Sequence, residues 1–453
     1  MATDSHRPTQ TIFLKYRWKR TEKPVCVCPC GSVAKFFGFP RRRDLQLELE
    51  QKLAFFKGLT VWLLIAISVL FLLFPIKSAD AVDDILALIG PKDALLVTSP
   101  DGSVILAANE TTQRIPASTL KLLTSLVALH YLGPDYRFPT DFLMDENQNL
   151  KIRGYGDPLL VSETINDISQ KLARTLSSIN DIILDETYFS QPLLIPGRSM
   201  SRQPYDAPNG ALCVNFNTIK FKKNSAGRYV SAEPQTPLIP FVLPKIRASG
   251  VNSGRIVLSH HHNENVLYAG HLFIHFLNRR GIQCRGIVRT GKVTPETDRL
   301  ILRYTSPFTL EKIIVKLLKH SNNYTANQLL IALGASVQGP PGNLQKGVQA
   351  SLAYAEKILA LRDIRLVEGS GISRQNRISV LGLIRILRAF EPYRYLMMHE
   401  GREYYKTGSL NGIRTRAGFI ERTEGGRYRF AVMMNTPGKS AERVVHLLLN
   451  RLP

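Results

Sequence analysis

Three short words stand far apart along the 453-residue chain, and a fold that uses them has to bring all three together: Ser118-Thr119-Leu120-Lys121, Ser321-Asn322-Asn323 and Lys406-Thr407-Gly408-Ser409. Taken singly, each is ordinary. A serine and a lysine one turn apart suit any helix, Ser-Asn-Asn caps helices, and Lys-Thr-Gly ends many strands. In this order, S-x-x-K, S-x-N and K-T-G describe a serine acyl-transfer site. The fold must then place a helix start, an inter-helix loop and a strand around one cleft.

The local patterns supply those elements. Pro116 precedes a run from Ser118 to Leu129 that is apolar at Leu120, Leu123, Leu126 and Val127, which predicts a buried amphipathic helix opened by Ser118. Residues three apart share a helix face, so the Lys121 ammonium lies within reach of the Ser118 hydroxyl. A hydroxyl is a weak nucleophile until a base takes its proton, and a lysine buried beside another cation can act as that base. Lys406 supplies the second cation. The N-terminal end of the helix also directs backbone N–H groups toward a developing oxyanion.

Thr309 to Lys319 is apolar at Leu310, Ile313, Ile314, Leu317 and Leu318, and a second helical pattern runs from Tyr324 to Ala335. Ser321 and Asn323 fall on the loop between, where a hydroxyl can relay a proton to a leaving amine and an amide can hold substrate. Glu403 to Leu410, Thr415 to Glu421 and Tyr428 to Asn435 read as antiparallel strands, the last two joined at Glu424-Gly425-Gly426. On the first strand, Lys406, Thr407 and Ser409 offer a cation and two hydroxyls suited to a carboxylate, and Gly408 lets substrate approach the backbone.

From about Val82 to the C-terminus the chain resembles the D-alanyl-D-alanine carboxypeptidase and endopeptidase branch of the class C low-molecular-mass penicillin-binding proteins. The likeness extends beyond the three words to Pro116-Ala117-Ser118-Thr119-Leu120-Lys121-Leu122, Gly154 to Leu159 (GYGDPL), Tyr205-Asp206-Ala207-Pro208 and Glu368 to Arg377 (EGSGISRQNR). It implies that Ser118 is acylated, that Lys121 is its base and that Ser321 passes the proton onward. Asn323 would bind the substrate backbone, and Lys406, Thr407 and Ser409 would bind the terminal carboxylate of D-Ala-D-Ala. The N–H groups of Ser118 and Ser409 would form the oxyanion hole. No metal or other cofactor is implied. The chain departs from the family at Ser409, where threonine is frequent, at Glu368, where aspartate is frequent, and at Asn322, where the S-D-N form has aspartate. None of these changes removes a catalytic group.

The same likeness predicts an α+β fold of the β-lactamase/transpeptidase type, an antiparallel sheet flanked by helices plus a helical lobe. Residues 82–150 and 306–453 form the expected catalytic domain, and 151–305 an inserted accessory region with strands near Asp181 to Leu184 and Arg255 to Leu258. Ahead of it, 58–76 carries no charge in 19 residues, enough to span a bilayer as a single transmembrane helix. The preceding 1–57 holds 12 Lys and Arg against 5 Asp and Glu, which the positive-inside rule keeps cytoplasmic while the remainder is exported from the inner membrane. A rival reading is a secretory signal cleaved after Ala81.

Of five cysteines, Cys26, Cys28 and Cys30 lie in the basic arm and make a weak zinc pattern; Cys213 and Cys284 lie in the exported part, where a bridge between them stays open. His260-His261-His262 reads as a solvated turn rather than a metal site. The net charge of +23 comes with no nucleic-acid recognition motif, so it reads as a surface directed toward the polyanions of the cell wall.

Three functions compete. In the favoured one, a serine DD-peptidase, Ser118 attacks the penultimate D-alanine of a peptidoglycan stem peptide and β-lactams acylate the same serine. A β-lactamase would share the site but needs a deacylating base, and Glu163-Thr164-Ile165-Asn166 does not match the class A word for one. A wall-binding scaffold would have no chemical need for Lys121 beside Ser118.

Overall fold

The computed structural model describes residues 84–453. The basic arm, the apolar stretch 58–76 and Cys26, Cys28 and Cys30 lie outside the described residues. Within that range no helix is long and apolar enough to cross a membrane, and no group of three or more His, Cys, Asp or Glu side chains could hold a metal ion.

A six-stranded antiparallel sheet is assembled from the two ends of the described chain. Its order is Met398–Glu400, Glu403–Leu410, Ile413–Glu421, Arg427–Met434, Ala94–Thr98, Val104–Ala108. The strand Arg427–Met434 is buried on both faces, which is why it reads as a nearly continuous apolar run. Phe430, Val432 and Met434 pack with Val444, Val445 and Leu448 of the C-terminal helix Ala441–Arg451. Ala431 and Met433 join a second core with the helices Lys121–Leu132, Leu310–His320 and Val380–Phe390. With Asn323–Gln338 and Leu344–Lys357, these form a helical lobe. The architecture is α+β, an antiparallel sheet flanked by helices.

The sequence-based expectation for the Ser118 helix needs two corrections. The α-helix begins at Lys121, and Ser118 sits in a preceding 3-10 turn, Ala117–Leu120. From Lys121 to Leu129 every residue is buried, so the helix is enclosed all round rather than amphipathic. Sheet, helical lobe and loops surround it.

The accessory layer has its own hydrophobic core. Five strands lie in the order Val288–Thr290, Ile182–Asp185, Leu150–Gly154, Pro139–Met144, Arg299–Thr305, with parallel pairs on the first side and antiparallel pairs on the second. Helices Ser162–Leu172 and His262–Arg279 pack against it, and a three-stranded sheet, Tyr229–Ser231, Thr218–Lys223, Ser253–Val257, shares the core. Because Pro139–Met144 pairs with both Leu150–Gly154 and Arg299–Thr305, this layer takes in residues that the expected boundary at 151 left in the catalytic part. Cys213 and Cys284 are free thiols. The expected histidine turn is partly helical, since an 18-residue helix starts at His262 and the His260 ring bonds the Ser201 carbonyl oxygen.

Candidate active site

The turn that carries Ser118 is fixed by backbone geometry. Ala117 takes a left-handed φ of 47°, which an alanine rarely adopts, and neighbours hold it there. Gly371, itself at φ 81°, lies so close to the Ala117 carbonyl that a side chain at 371 would collide with it. Thr415 Oγ1 donates to the Pro116 carbonyl oxygen at 2.7 Å, as does Thr119 Oγ1. The turn is therefore tied to the sheet strand Ile413–Glu421 on one side and to the loop after Glu368 on the other.

Lys121 is fully buried, and its ammonium has three acceptors: Ser118 Oγ at 2.8 Å, Asn323 Oδ1 at 2.8 Å and the Ser370 carbonyl oxygen at 2.7 Å. Burial first, and then the charge of Lys406, hold its pKa well below the ordinary lysine value, against an upward pull from Glu368. A neutral Lys121 amine keeps two N–H donors for Asn323 and Ser370 and turns its lone pair to the Ser118 hydroxyl. Of its three partners only the Ser118 hydroxyl has a proton it could accept.

Asn323 opens the helix Asn323–Gln338 instead of lying on the loop before it, and Asn322 caps that helix by accepting from Thr325 N. Since Asn323 Oδ1 is held by Lys121, its Nδ2 is left as a donor. Ser321 ends the preceding helix in the left-handed conformation, φ 51°, and its side chain makes no hydrogen bond among the described residues.

The third word lies on the strand Glu403–Leu410, as its alternation predicts. Lys406 and Gly408 are buried, while Thr407 and Ser409 are exposed. Lys406 Nζ donates to the Thr407 carbonyl oxygen at 2.8 Å, and burial pulls its pKa down to about 8. Strand Met398–Glu400 covers the outer edge of this strand only as far as Tyr405. Beyond Tyr405 the edge has no partner strand among the described residues, so alternate N–H and C=O groups face an open cleft of about 830 Å³ lined by Ser321, Lys406, Thr407, Gly408 and Ser409. Such an edge can bind an extended peptide as an added strand. Gly408 also allows the strand to lie against the Ser118 turn.

The sequence words do not mark the acid behind this arrangement as part of the site. Glu368 is fully buried, and each of its carboxylate oxygens is saturated. Oε2 accepts from Ser370 N, Ser370 Oγ and Asn327 Nδ2; Oε1 accepts from Gly371 N, Ser373 N and Asn376 Nδ2. This cradle sets the loop whose Ser370 carbonyl bonds Lys121. Its only sequence signal is the phrase from Glu368 to Arg377.

A serine bonded to a buried, pKa-lowered lysine thus lies between a helical lobe and the free edge of an antiparallel sheet. Residues 79–244 and 251–398 match the D-Ala-D-Ala carboxypeptidase 3 (S13) family, and the chain belongs to it. It is 26% identical over 348 residues to a D-alanyl-D-alanine carboxypeptidase of Actinomadura sp. (strain R39), an alignment that takes in 65% of this chain and 63% of that one. The D-alanyl-D-alanine carboxypeptidase DacB of Haemophilus influenzae is 23% identical over 73% of this chain and 82% of its own. The fold is similar to the crystal structure of penicillin binding protein 4 from H. influenzae, with a TM-score of 0.66, 18% identity, and coverage of 82% of this chain and 98% of that one.

Proposed function

We propose that the protein is a serine-type D-Ala-D-Ala carboxypeptidase and DD-endopeptidase acting on peptidoglycan stem peptides through an acyl-enzyme on Ser118. The observation that carries this reading is the 2.8 Å contact from Lys121 Nζ to Ser118 Oγ in a buried, positively charged setting. Neutral Lys121 takes the Ser118 proton as Oγ attacks the carbonyl of the penultimate D-alanine. N–H groups of Ser118 and Ser409 receive the oxyanion, where one donor is worth about 10² to 10³ in rate. Lys406, Thr407 and Ser409 hold the terminal carboxylate, and Asn323 Nδ2 the substrate backbone. The C–N bond breaks as the proton passes from Lys121 through Ser321 to the leaving amine, and water then releases the acyl group.

β-Lactams present the same carbonyl and carboxylate, and acylate the same serine. The β-lactamase alternative needs a second base, and no carboxylate among the described residues hydrogen-bonds Ser118, Lys121 or Ser321; Glu442 lines the cleft from the helix Ala441–Arg451. Glu368 spends both oxygens on six donors, and Glu163 lines a neighbouring cavity instead of the catalytic cleft. In this reading residues 58–76 anchor the enzyme in the inner membrane with the catalytic part outside, and the basic surface faces the wall. Loss of salt dependence in binding to purified sacculi would remove that last element. The central test follows the intact mass of the full chain with a fluorescent penicillin beside Ser118→Ala. A long-lived adduct on the wild type alone is expected. Rapid turnover of the drug would favour the β-lactamase, and no adduct would leave only the scaffold.

A further inference from the structure

A second cavity of about 710 Å³ adjoins the catalytic cleft, between the helix Leu310–His320 and the three-stranded accessory sheet. His320 lines both spaces; on the loop that follows, Ser321 faces the cleft and Asn322 the second cavity. The two spaces therefore meet at His320, next in the chain to the residue that, on the reading above, hands a proton to the leaving amine. On that reading the leaving amine takes its proton at Ser321, and this cavity opens beside the same loop, at Asn322.

Its lining selects a type of occupant. Lys220, Lys316 and Glu163 are exposed and make no ion pair or side-chain hydrogen bond among the described residues, whereas Arg255 is held by Glu233 and Thr218. Phe216 and Phe308 supply half-buried apolar surface, with Lys316 Nζ 5.6 Å from the Phe308 ring centroid. Unpaired cations, one unpaired carboxylate and two rings suit a short peptide bearing carboxylates, an amine and aliphatic stems. A free D-alanine, about 3.5 Å long as one residue, is too short to reach from the cleft into a second cavity.

We propose that this cavity is the subsite for the leaving stem of a crosslink, so that Lys220 and Lys316 select crosslinked peptidoglycan as substrate. The proposal rests on the serine DD-peptidase reading. No new chemistry is needed: the amide between the D-alanine carbonyl and the crosslink amine breaks, the Ser118 ester forms, and the amine leaves with the relayed proton while its own stem occupies the cavity.

The test compares the full chain with Lys220→Ala, Lys316→Ala and the double variant on a crosslinked muropeptide dimer and on a monomeric pentapeptide, with penicillin acylation measured in parallel. Both lysines are exposed, so folding should be retained. The expected result is a fall in kcat/KM of about tenfold on the dimer in the double variant, with monomer turnover and acylation within about twofold of wild type. Equal losses on dimer and monomer, no loss on the dimer, or a wild type that cleaves the monomer but not the dimer would overturn the subsite alone. A wild type that penicillin does not acylate would overturn the underlying reading and the subsite with it.

Discussion

Gly408 is seated directly on the Ser118 turn: a Cβ at 408 would stand 2.8 Å from the Ser118 nitrogen and 3.0 Å from the Pro116 carbonyl oxygen, besides striking Thr415 Oγ1. A methyl group there has to push the strand away from the serine. Gly408→Ala should cost about 1–3 kcal/mol in stability through overpacking. Its larger effect should be on chemistry, since a displacement of about 1 Å can cost 10²-fold. Acylation by a fluorescent penicillin and thermal denaturation of the same sample check both. Acylation at the wild-type rate would show that the contact does not set the site.

Ser321 separates backbone from hydroxyl. Its φ of 51° costs an L residue about 1–2 kcal/mol, which glycine escapes. Ser321→Gly should therefore be at least as stable as wild type, and more stable than Ser321→Ala. Both should lose about 10²-fold in peptide turnover, because neither can relay a proton. A Ser321→Ala enzyme with normal turnover would remove the relay role while leaving the loop geometry intact.

The two active-site lysines titrate in opposite functional directions. On the proposed mechanism Lys121 works as the neutral amine, so kcat/KM should rise with pH as it loses its proton, and its lowered pKa puts that rise well below the ordinary value of 10.5. On the same mechanism Lys406 works as the cation, so the rate should fall above about pH 8, where its proton leaves. Lys406→Arg keeps the charge, because a guanidinium stays protonated, and should carry the alkaline limb upward. Turnover of a D-Ala-D-Ala peptide between about pH 6 and 10 measures both limbs. An alkaline limb unchanged in Lys406→Arg would assign it to another group.

What the sequence could express was local. Glu403–Leu410 is legible because alternation and the Lys-Thr-Gly word coincide there, and the break at Ser321 because two apolar helical periods stop on either side of it. The serine turn was not legible in the same way. Alanine carries no signal for a left-handed φ, and Ala117 is held there by Gly371 and Thr415, more than 250 residues away along the chain. The accessory sheet reaches past residue 151 for a similar reason, since Pro139–Met144 finds its partner in Arg299–Thr305, a pairing that no local pattern encodes. The Ser-Asn-Asn word suggests only substrate as a partner for Asn323; its oxygen is on Lys121, which depends on how two helices meet.

Glu368 joins stability to the base. Each of its oxygens receives three donors, so the amide of Glu368→Gln must point an NH₂ at N–H and O–H groups whichever way it turns. Leaving such buried donors unmatched should cost about 2–4 kcal/mol. Loss of the charge has a second effect. Glu368 pulls the Lys121 pKa upward, so its removal lets that pKa fall further and moves the acid limb of kcat/KM to lower pH. Glu368→Asp shortens the side chain but keeps the charge, and should lose stability with the acid limb near its wild-type position. Thermal denaturation and pH profiles of the two variants separate the roles. If Gln and Asp moved the limb equally, the loop geometry at Ser370 and not the carboxylate charge would set the base.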